Sequence, residues 1–299
     1  MENTQQKHTQ QLVLACIDGS AISSAVCDYA VWIAQRVGAP LKLLHNIEHQ
    51  ETPVTSDLTG NIGLGSQEHL LEDLTKLEQQ RSKLLMQQGK LMLETAKQRA
   101  QQSGIADPIT VQRHGSVAES LIDLEDDIHV LVLGVRGADH EKQQEKIGSH
   151  LEMMIRAIHR PILVVNDEFK TPETIMLAYD GSEAAEKAVD MVAKSPLYKG
   201  FTCHLVCVNK NTENAENAEN ADKLLQQASE KLAKASGLTL ITASLSGKAD
   251  QELCAYQEKH AIDLTIMGAF SHTRLREMLL GSFTVKMLVN TKKPLLLLR

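Results

Sequence analysis

Short apolar runs alternate with longer amphipathic stretches along the whole chain, and this alternation occurs twice. The runs predict strands at residues 12–17, 40–46, 108–114, 129–134 and 161–166, and again at 173–179, 201–208, 238–244, 263–268 and 294–298. Continuous apolar runs of this length are typical of strands that are covered on both faces. Capped helical patterns fill the intervals, as at residues 20–36, 116–124 and 149–158. Strand alternating with helix predicts an α/β fold with a doubly wound, five-stranded parallel sheet in each half.

Several short motifs of the first half return in the second. Asp18-Gly19-Ser20, at the end of the first predicted strand, recurs as Asp180-Gly181-Ser182. Gly148-Ser149 recurs as Gly281-Ser282, and each pair starts 13 residues before the proline that opens the last strand. The duplication predicts two domains, residues 1–168 and 172–299, with their boundary in the polar stretch 166–173, which contains Pro172.

The halves differ mainly between their second and third strands. The interval from Asn46 to Gly115 is 69 residues and that from Asn209 to Gly247 is 38, so the first half carries an insert. Within it, residues 48–66 indicate a polar loop. Residues 67–103, rich in Leu, Gln, Glu and Lys, predict a long helix. At the corresponding place in the second half, residues 214–220 have the low-complexity composition of a solvated loop.

The inserted helix has apolar residues at positions 70, 74, 77, 84 and 91, a near-heptad spacing that Arg81 and Gln88 interrupt. Two interpretations are open. A coiled coil would bind a partner through this stripe. A long amphipathic helix would bury the stripe against its own domain, and we favour this second interpretation.

Composition narrows the classes of function. At 299 residues the chain has room for two cores, and with 3% aromatic residues these cores are aliphatic. A net charge of −7 argues against a nucleic-acid-binding surface, which needs clustered Lys and Arg. Residues 1–11 lack the apolar segment of a signal peptide, and no apolar run is long enough for a membrane span. We therefore expect a cytoplasmic protein.

Cysteine and histidine usage predicts no metal site. Cys203 and Cys207 flank His204 on a predicted buried strand, but no Cys-x-x-Cys pair is present to complete four ligands. We expect these cysteines to be reduced and to pack as small apolar side chains. The histidines are scattered and do not form the His-Glu-x-x-His pattern of zinc enzymes.

The duplicated motifs fall at the carboxyl ends of predicted strands, where doubly wound sheets bind ligands. They end the first, second and fourth strands of the two halves: Asp18, Asn46 and Gly134, then Asp180, Asn209 and Gly268. Glycine lets backbone approach a ligand closely, and a Gly-Ser pair at a helix start presents N–H groups to an anion. Strand ends need turn glycines in any case. Recurrence of the whole set nevertheless indicates a nucleotide site.

These motifs resemble those of the universal stress protein family, with two such domains in tandem. Its members carry Asp-x-Ser after the first strand, Gly-x2-Gly-x9-Gly-Ser/Thr after the fourth, and a last strand that begins Pro-Val/Ile-Leu-Val. The likeness extends over nearly the whole chain. It implies a Rossmann-like fold of the adenine nucleotide alpha hydrolase type, which binds ATP or AMP, with or without Mg²⁺. By this resemblance the aspartate contacts adenine, the asparagine lies near the base, and the glycines and Gly-Ser pair face the ribose and the phosphates.

Carried over to the first half, the resemblance implies a nucleotide site of Asp18, Gly19, Ser20, Asn46, Gly134, Gly137, Gly148 and Ser149. Carried over to the second half, it implies a site of Asp180, Gly181, Ser182, Asn209, Gly268, Ser271, Arg274, Arg276, Gly281 and Ser282. The first half has one extra residue between its glycines and carboxylates in that loop, which repel phosphates. The second replaces a glycine by Ser271 but has basic side chains, which are equally typical of an exposed basic helix. We favour the second half.

Three functional classes remain open. The first is a nucleotide-binding regulatory protein of the stress response, as the resemblance implies. The second is an enzyme, either a slow ATPase or a nucleotidyl or phosphoryl transferase. The chain has no Walker motif, no His-x-Gly-His and no evident general base, so the enzyme is the weaker interpretation and no catalytic residue is assigned. The third is a nucleotide-free dimerisation scaffold, in which the glycines serve only as turns.

The last predicted strands, residues 161–166 and 294–298, are expected at the edges of their sheets. Exposed apolar edges are unfavourable, and pairing the two edges with each other would remove both. The pattern therefore predicts an intramolecular pseudo-dimer, as the family resemblance also implies between subunits. A homodimer of two such chains is left open.

Overall fold

A computed structural model describes residues 11–48, 64–135, 149–209, 215–234, 237–269 and 281–299. These residues form ten strands: β1 Leu12–Cys16, β2 Leu41–Ile47, β3 Ile109–His114, β4 Ile128–Gly134, β5 Ile162–Val165, β6 Thr174–Ala178, β7 Thr202–Asn209, β8 Thr239–Ser246, β9 Leu264–Gly268 and β10 Leu295–Leu298. The helices are α1 Ser23–Val37, α2 Leu64–Gln102, α3 Val117–Ile122, α4 Ser149–Ala157, α5 Glu183–Lys194, α6 Ala215–Ala233, α7 Ala249–Lys259 and α8 Ser282–Asn290. The strands lie within two residues of the positions that the apolar runs predict.

All ten strands belong to one sheet in the order β3-β2-β1-β4-β5-β10-β9-β6-β7-β8. Pairing is parallel within each half, which confirms the predicted α/β class. At the centre β5 and β10 run antiparallel, with Leu163 opposite Leu296. These are the two edges that the sequence analysis expected to pair, and the junction makes one continuous sheet from the two duplicated units.

The core consists of two apolar layers, one on each face of the sheet. One layer includes side chains of α1, α2, α5 and α6, and the other includes side chains of α3, α4, α7 and α8. Each layer contains buried residues from both halves. Alternate strand residues supply the two layers, as the period-two geometry of a strand requires; Leu163 belongs to one and Val164 to the other. The halves therefore share their apolar core across the central junction.

Helix α1 also contacts the second half directly. The ring of Trp32 stacks on Phe201 at 6.2 Å between centroids, and the Arg36 guanidinium lies 4.9 Å from the same Phe201 ring. The Arg36 guanidinium also donates to the backbone oxygen of Leu197 at 2.8 Å. Nearby, Tyr29 packs edge-on against Phe169 of the connecting segment. These contacts bind the domains to each other beyond the strand pair.

The inserted helix α2 corrects the interpretation that we favoured from the sequence. Leu74, Leu77, Leu84 and Leu91 were expected to bury a stripe against the domain, but all four side chains are exposed. The helix packs instead through Leu93, Ala96 and Ala100, which belong to the core layer beside α1. The pattern was misread because α2 carries two apolar stripes on different faces, and the longer side chains dominate it. Residues 72–81 are exposed at every position, so this part of α2 contributes no residue to the core.

The expected solvated loop at residues 214–220 is also wrong for the residues that the structure describes. Residues 215–220 form the first part of α6, while position 214 lies outside the described residues. Ala and Glu are strong helix formers, and adding a turn to an existing helix costs little. Leu225, Ala228 and Leu232 anchor that helix in the core. The expected polar loop at residues 48–66 lies almost wholly outside the described residues, although α2 begins at Leu64.

Among the helices that the structure describes, none combines the length and apolarity needed to cross a membrane.

Candidate functional site

The Asp-Gly-Ser turns lie where β1 and β6 end and the following helices begin. Asp18 and Asp180 are exposed, and Gly19 and Gly181 adopt positive φ angles of 77° and 73°. This left-handed conformation favours glycine over any residue with a Cβ atom. The repeated glycine is therefore a requirement of the turn itself. The turn holds each carboxylate at the carboxyl edge of the sheet, as the sequence predicts.

The two aspartates differ in how their own turns bind them. Oδ1 of Asp18 accepts hydrogen bonds from the Ser20 amide at 3.0 Å, the Ser20 hydroxyl at 2.7 Å and the Ser23 hydroxyl at 2.6 Å. Oδ1 of Asp180 accepts the corresponding amide bond, from Ser182 at 3.0 Å. The Ser182 hydroxyl instead accepts from the amide of Ala185 and caps α5. Asp180 therefore retains more acceptor capacity for a ligand than Asp18 does.

A residue from the neighbouring helix covers each turn glycine. A Cβ added at Gly19 would lie 2.4 Å from Cε of Met92 on α2, and one at Gly181 would lie 3.0 Å from Cδ2 of Leu224 on α6. Met92 and Leu224 thus occupy equivalent places in the two halves. The same offset relates the buried positions Leu93, Ala96 and Ala100 of α2 to Leu225, Ala228 and Leu232 of α6. The carboxyl-terminal part of α2 is the counterpart of α6, and the residues before it are the insert.

Asn46 and Asn209 are not equivalent positions, although the sequence analysis treats them as counterparts in the two halves. The Gly115 amide donates to the backbone oxygen of Ile47, whereas the Gly247 amide donates to that of Asn209. Asn209 therefore corresponds to Ile47, not to Asn46. A shift of one residue along a strand moves a side chain to the opposite face of the sheet. Asn46 follows Asp18 by 28 residues and Asn209 follows Asp180 by 29, which reflects this difference of one position.

Their hydrogen bonds follow from this placement. Asn46 donates to the backbone oxygen of Gly115 at 2.5 Å and accepts from the Ser120 hydroxyl at 2.8 Å, so its side chain joins β2 to α3. Asn209 donates to the Ser244 hydroxyl of β8 at 3.3 Å. Both the nitrogen and the oxygen of the Asn46 amide are therefore hydrogen-bonded within the protein, which is a structural role. The side chain of Asn209 lies on the same face of the sheet as α6.

Two glycine signals of the second half have separate physical explanations. A Cβ at Gly268, at the end of β9, would lie 2.8 Å from Cβ of Ala184, so the absence of a side chain lets α5 approach the strand. Gly281 is the N-cap of α8, and among the described residues no side chain caps that helix. The exposed Ser282 follows as its first residue. Because its N-cap glycine has no side chain to accept from them, the backbone N–H groups at the start of α8 can donate to an anion.

Part of the implied site lies outside the described residues. This applies to Gly137 and Gly148 of the first half and to Ser271, Arg274 and Arg276 of the second. Gly134 ends β4, and Ser149 begins α4, in agreement with the strand and helix that the sequence predicts. In the second half, Asp180, Asn209 and Gly268 end the adjacent parallel strands β6, β7 and β9. The structure thus brings these three positions to one edge, around the point where strand order reverses.

A hydrogen-bond network beside Asp180 was missed by the sequence analysis. The buried Tyr179 hydroxyl donates to Glu186 of α5, and Lys231 of α6 donates to the other oxygen of Glu186. Burial, together with the bond to Glu186, raises the pKa of Tyr179. The donors Lys231 and Tyr179 lower the pKa of Glu186. The network joins α5 to α6 next to the turn. In the sequence, its only signal is an acidic residue on one helix and a basic residue on the other.

The first half joins the equivalent helices differently. Arg99 of α2 donates twice to Asp28 of α1, with both distances 2.6 Å. A cavity of about 270 Å³ lies between α2 and the end of β2, and Glu48, Glu78 and Arg81 are among its lining residues. Two carboxylates against one guanidinium make this cavity a poor place for phosphates.

The cysteines confirm their predicted packing role. Cys203 and Cys207 are buried, and burial raises the pKa of Cys203 to about 12. Nδ1 of His204 lies 2.9 Å from the Tyr256 hydroxyl, which accounts for the buried imidazole between them in the sequence. Within the part of the chain that the structure describes, no three or more His, Cys, Asp or Glu side chains are grouped so as to hold a metal ion.

Comparison with known proteins decides the family. The model of the universal stress protein family matches residues 11–166 and again residues 172–299. The chain belongs to the universal stress protein family. Universal stress protein Slr1230 of Synechocystis sp. (strain ATCC 27184 / PCC 6803 / Kazusa) is 35% identical over 289 residues, which cover 96% of this chain and 99% of the relative. The tandem organisation is therefore shared along the whole length.

A second relative matches about half of the chain. Universal stress protein YxiE of Bacillus subtilis (strain 168) is 28% identical over 155 residues, 51% of this chain and 97% of the relative. Among solved structures, a universal stress protein from Archaeoglobus fulgidus DSM 4304 has a TM-score of 0.65 at 16% identity, covering 96% of both chains. This structural likeness supports the universal stress protein fold for the tandem arrangement.

Proposed function

We propose that this universal stress protein is a regulatory protein of the stress response that binds an adenine nucleotide, ATP or AMP, at the carboxyl ends of β6, β7 and β9. In this proposal Asp180 accepts a hydrogen bond from adenine, and the backbone at Asn209 borders the base. Gly268 faces the ribose. The start of α8 at Gly281 and Ser282, together with Ser271, Arg274 and Arg276, binds the phosphates.

One observation carries the proposal: the exposed carboxylate of Asp180 and the start of α8 lie on either side of the point where the strand order reverses. Asp180 has a carboxylate that its own turn binds through one amide, and α8 begins at a glycine with no capping side chain. An adenosine group needs an acceptor at its base end, and its phosphates need N–H donors at the other end. The two features lie at the ends of the adjacent strands β6 and β9. The residues present therefore fit the ligand.

The second half is the favoured site on the same grounds. In the first half three donors already bind Oδ1 of Asp18. A ligand there would compete with these hydrogen bonds. In the second half, the turn makes fewer hydrogen bonds to its own aspartate, Asp180.

Calorimetric titration with ATP and with AMP, each with and without Mg²⁺, tests the proposal. Asp180→Ala should weaken binding about tenfold or more, because it removes a hydrogen bond to a charged acceptor. Asp18→Ala is the matched control, with an equivalent turn and an expected affinity within about twofold of the wild type. Loss of binding in Asp18→Ala alone would transfer the site to the first half. No heat with either nucleotide would overturn the proposal and leave the scaffold.

Release of phosphate from the same samples separates the regulatory protein from a slow ATPase. We expect binding without turnover, because no general base is evident at this edge. Steady phosphate release that is lost in Asp180→Ala would instead establish the enzyme.

A further inference from the structure

One face of α2 exposes a row of leucines that the fold itself does not use. Leu74, Leu77, Leu84 and Leu91 are 43%, 60%, 65% and 69% exposed, and we refer to these four residues as the leucine face. Single exposed leucines are ordinary on protein surfaces, but a contiguous apolar row indicates an interaction site. The opposite side of the same helix packs on the domain through Leu93, Ala96 and Ala100. The leucine face therefore points away from the protein to which α2 belongs.

The spacing of the leucine face suits a second helix. Leu77, Leu84 and Leu91 are separated by seven residues each, and the sequence continues the interval backward to Leu70. Leu74 lies three residues before Leu77, the spacing of the two core positions of a heptad. A repeat of exactly seven keeps a stripe in register with another helix that supercoils around it. Binding to a flat apolar surface would not require an interval of seven residues between the leucines.

The second half carries charged residues at two of the corresponding positions. By the offset that places Met92 over Gly19 and Leu224 over Gly181, Leu84 corresponds to Glu216 and Leu91 to Lys223. The core-facing positions of the two helices remain apolar in both halves. The duplicated fold thus accepts charged residues at these places, and α2 carries leucine instead. Fold stability therefore does not explain the leucine face.

We propose that the leucine face joins two copies of this chain through an antiparallel pair of α2 helices. A second copy presents an identical heptad row, and a twofold axis across the helix pair buries both rows at once. Residues 72–81 are exposed at every position, which leaves room for a second helix alongside. The proposal is independent of nucleotide binding.

Charge decides the orientation. Arg81 occupies a core position of the heptad, so a parallel pair would place the two Arg81 side chains against each other and bring Asp73 near Glu78 of the other copy. An antiparallel pair centred near residue 79 places Arg81 opposite Leu77 of the other copy, beside Glu78. Glu78 and Arg81 already lie 3.9 Å apart within one chain. Two such pairs around the axis give a neutral cluster, whereas the parallel pair gives repulsion.

The first test is the oligomeric state of the full chain by sedimentation velocity over a concentration series. We expect a dimer with a dissociation constant in the micromolar range. Leu77→Gln/Leu84→Gln should weaken it about a hundredfold or more, because each dimer loses four buried leucines. Lys83→Gln/Lys90→Gln, which changes two exposed residues on another side of α2, is the matched control and should leave the dimer unchanged. Circular dichroism of each variant checks that α2 remains helical.

The second test concerns orientation. Arg81→Glu should weaken the dimer about tenfold, because four acidic residues would then meet at the axis. The exchange Glu78→Arg/Arg81→Glu should restore it by rebuilding the neutral cluster. A wild-type chain that stays monomeric throughout the series, or a dimer that Leu77→Gln/Leu84→Gln does not affect, would overturn the proposal. A single substitution that the exchange fails to rescue would overturn the antiparallel arrangement.

Discussion

The glycines of the implied nucleotide sites are explained by different physical requirements in the structure. Gly19 and Gly181 are required by a left-handed backbone, with φ of 77° and 73°. Gly268 is required by space, since a Cβ there would lie 2.8 Å from Cβ of Ala184. Gly281 has neither constraint, because an added Cβ would lie no closer than 3.7 Å to any atom of the described residues other than its chain neighbours. The best explanation for a glycine at position 281 is therefore its place as the N-cap of α8.

Gly268→Ala tests the packing explanation. The added methyl group would press on Ala184 and should lower the free energy of unfolding by about 1–3 kcal/mol, as overpacking does. Ala184→Gly makes room, so the double variant should regain most of this loss, less about 0.5–1 kcal/mol for glycine in a helix. Urea denaturation of the four proteins measures the coupling. Equal losses in the presence and absence of Ala184→Gly would show that space at Gly268 is not the constraint.

At the scale of the secondary-structure elements, the buried carboxylate of Asp263 holds the segment that connects the two halves. Asp263 precedes β9 and accepts from the amides of Glu173 and Thr174, both at 3.1 Å, and from Lys170 at 2.7 Å. Burial raises the pKa of this carboxyl group, but these three donors together lower it below its usual value. The start of β6 is thus bound to the start of β9. Residues from Lys170 onward form an ordered connection for this reason, although their composition is that of a linker.

Asp263 makes the stability of this connection depend on pH. Because its pKa is lower in the folded state, the stabilisation is complete above the unfolded value of about 4 and is lost as pH falls through the folded value. Asp263→Asn should cost about 1–3 kcal/mol at pH 7, and the difference from wild type should shrink in acid. Urea denaturation between pH 7 and pH 3 measures it. Asp126→Asn, whose side chain is fully exposed, serves as the control and should give a small, flat difference.

At the scale of the whole molecule, the junction of β5 and β10 converts two duplicated units into one sheet. Val164 pairs with Leu295 there, and both are buried. Both core layers continue across the junction, and α1 adds contacts to Phe201. We therefore expect the halves to unfold together. The outer strands β3 and β8 lie at the two ends of the sheet, and each pairs with a strand of its own half.

Val164→Asp tests the junction. A carboxylate without a partner in the buried centre should cost about 3–5 kcal/mol, and it should separate or unfold the halves. Ile241→Asp, on the outer strand β8 where the side chain is 41% exposed, is the matched control and should cost about 1 kcal/mol or less. Thermal unfolding and limited proteolysis report the two outcomes. A Val164→Asp protein as stable and as protease-resistant as the control would show that the halves do not depend on this pair.

Local patterns by themselves determined the α/β class, the duplication, the ten strands and the placement of the aspartate turns, because apolar runs and turn glycines act over a few residues. They did not determine which face each side chain takes. Asn46 and Asn209 differ by one residue in strand register, which places them on opposite faces, and the leucines of α2 are exposed while smaller residues pack. Only the tertiary structure decided these points, since facing depends on which strand or helix lies alongside. The same holds for the network of Tyr179, Glu186 and Lys231, whose members meet only when α5 and α6 pack on the sheet.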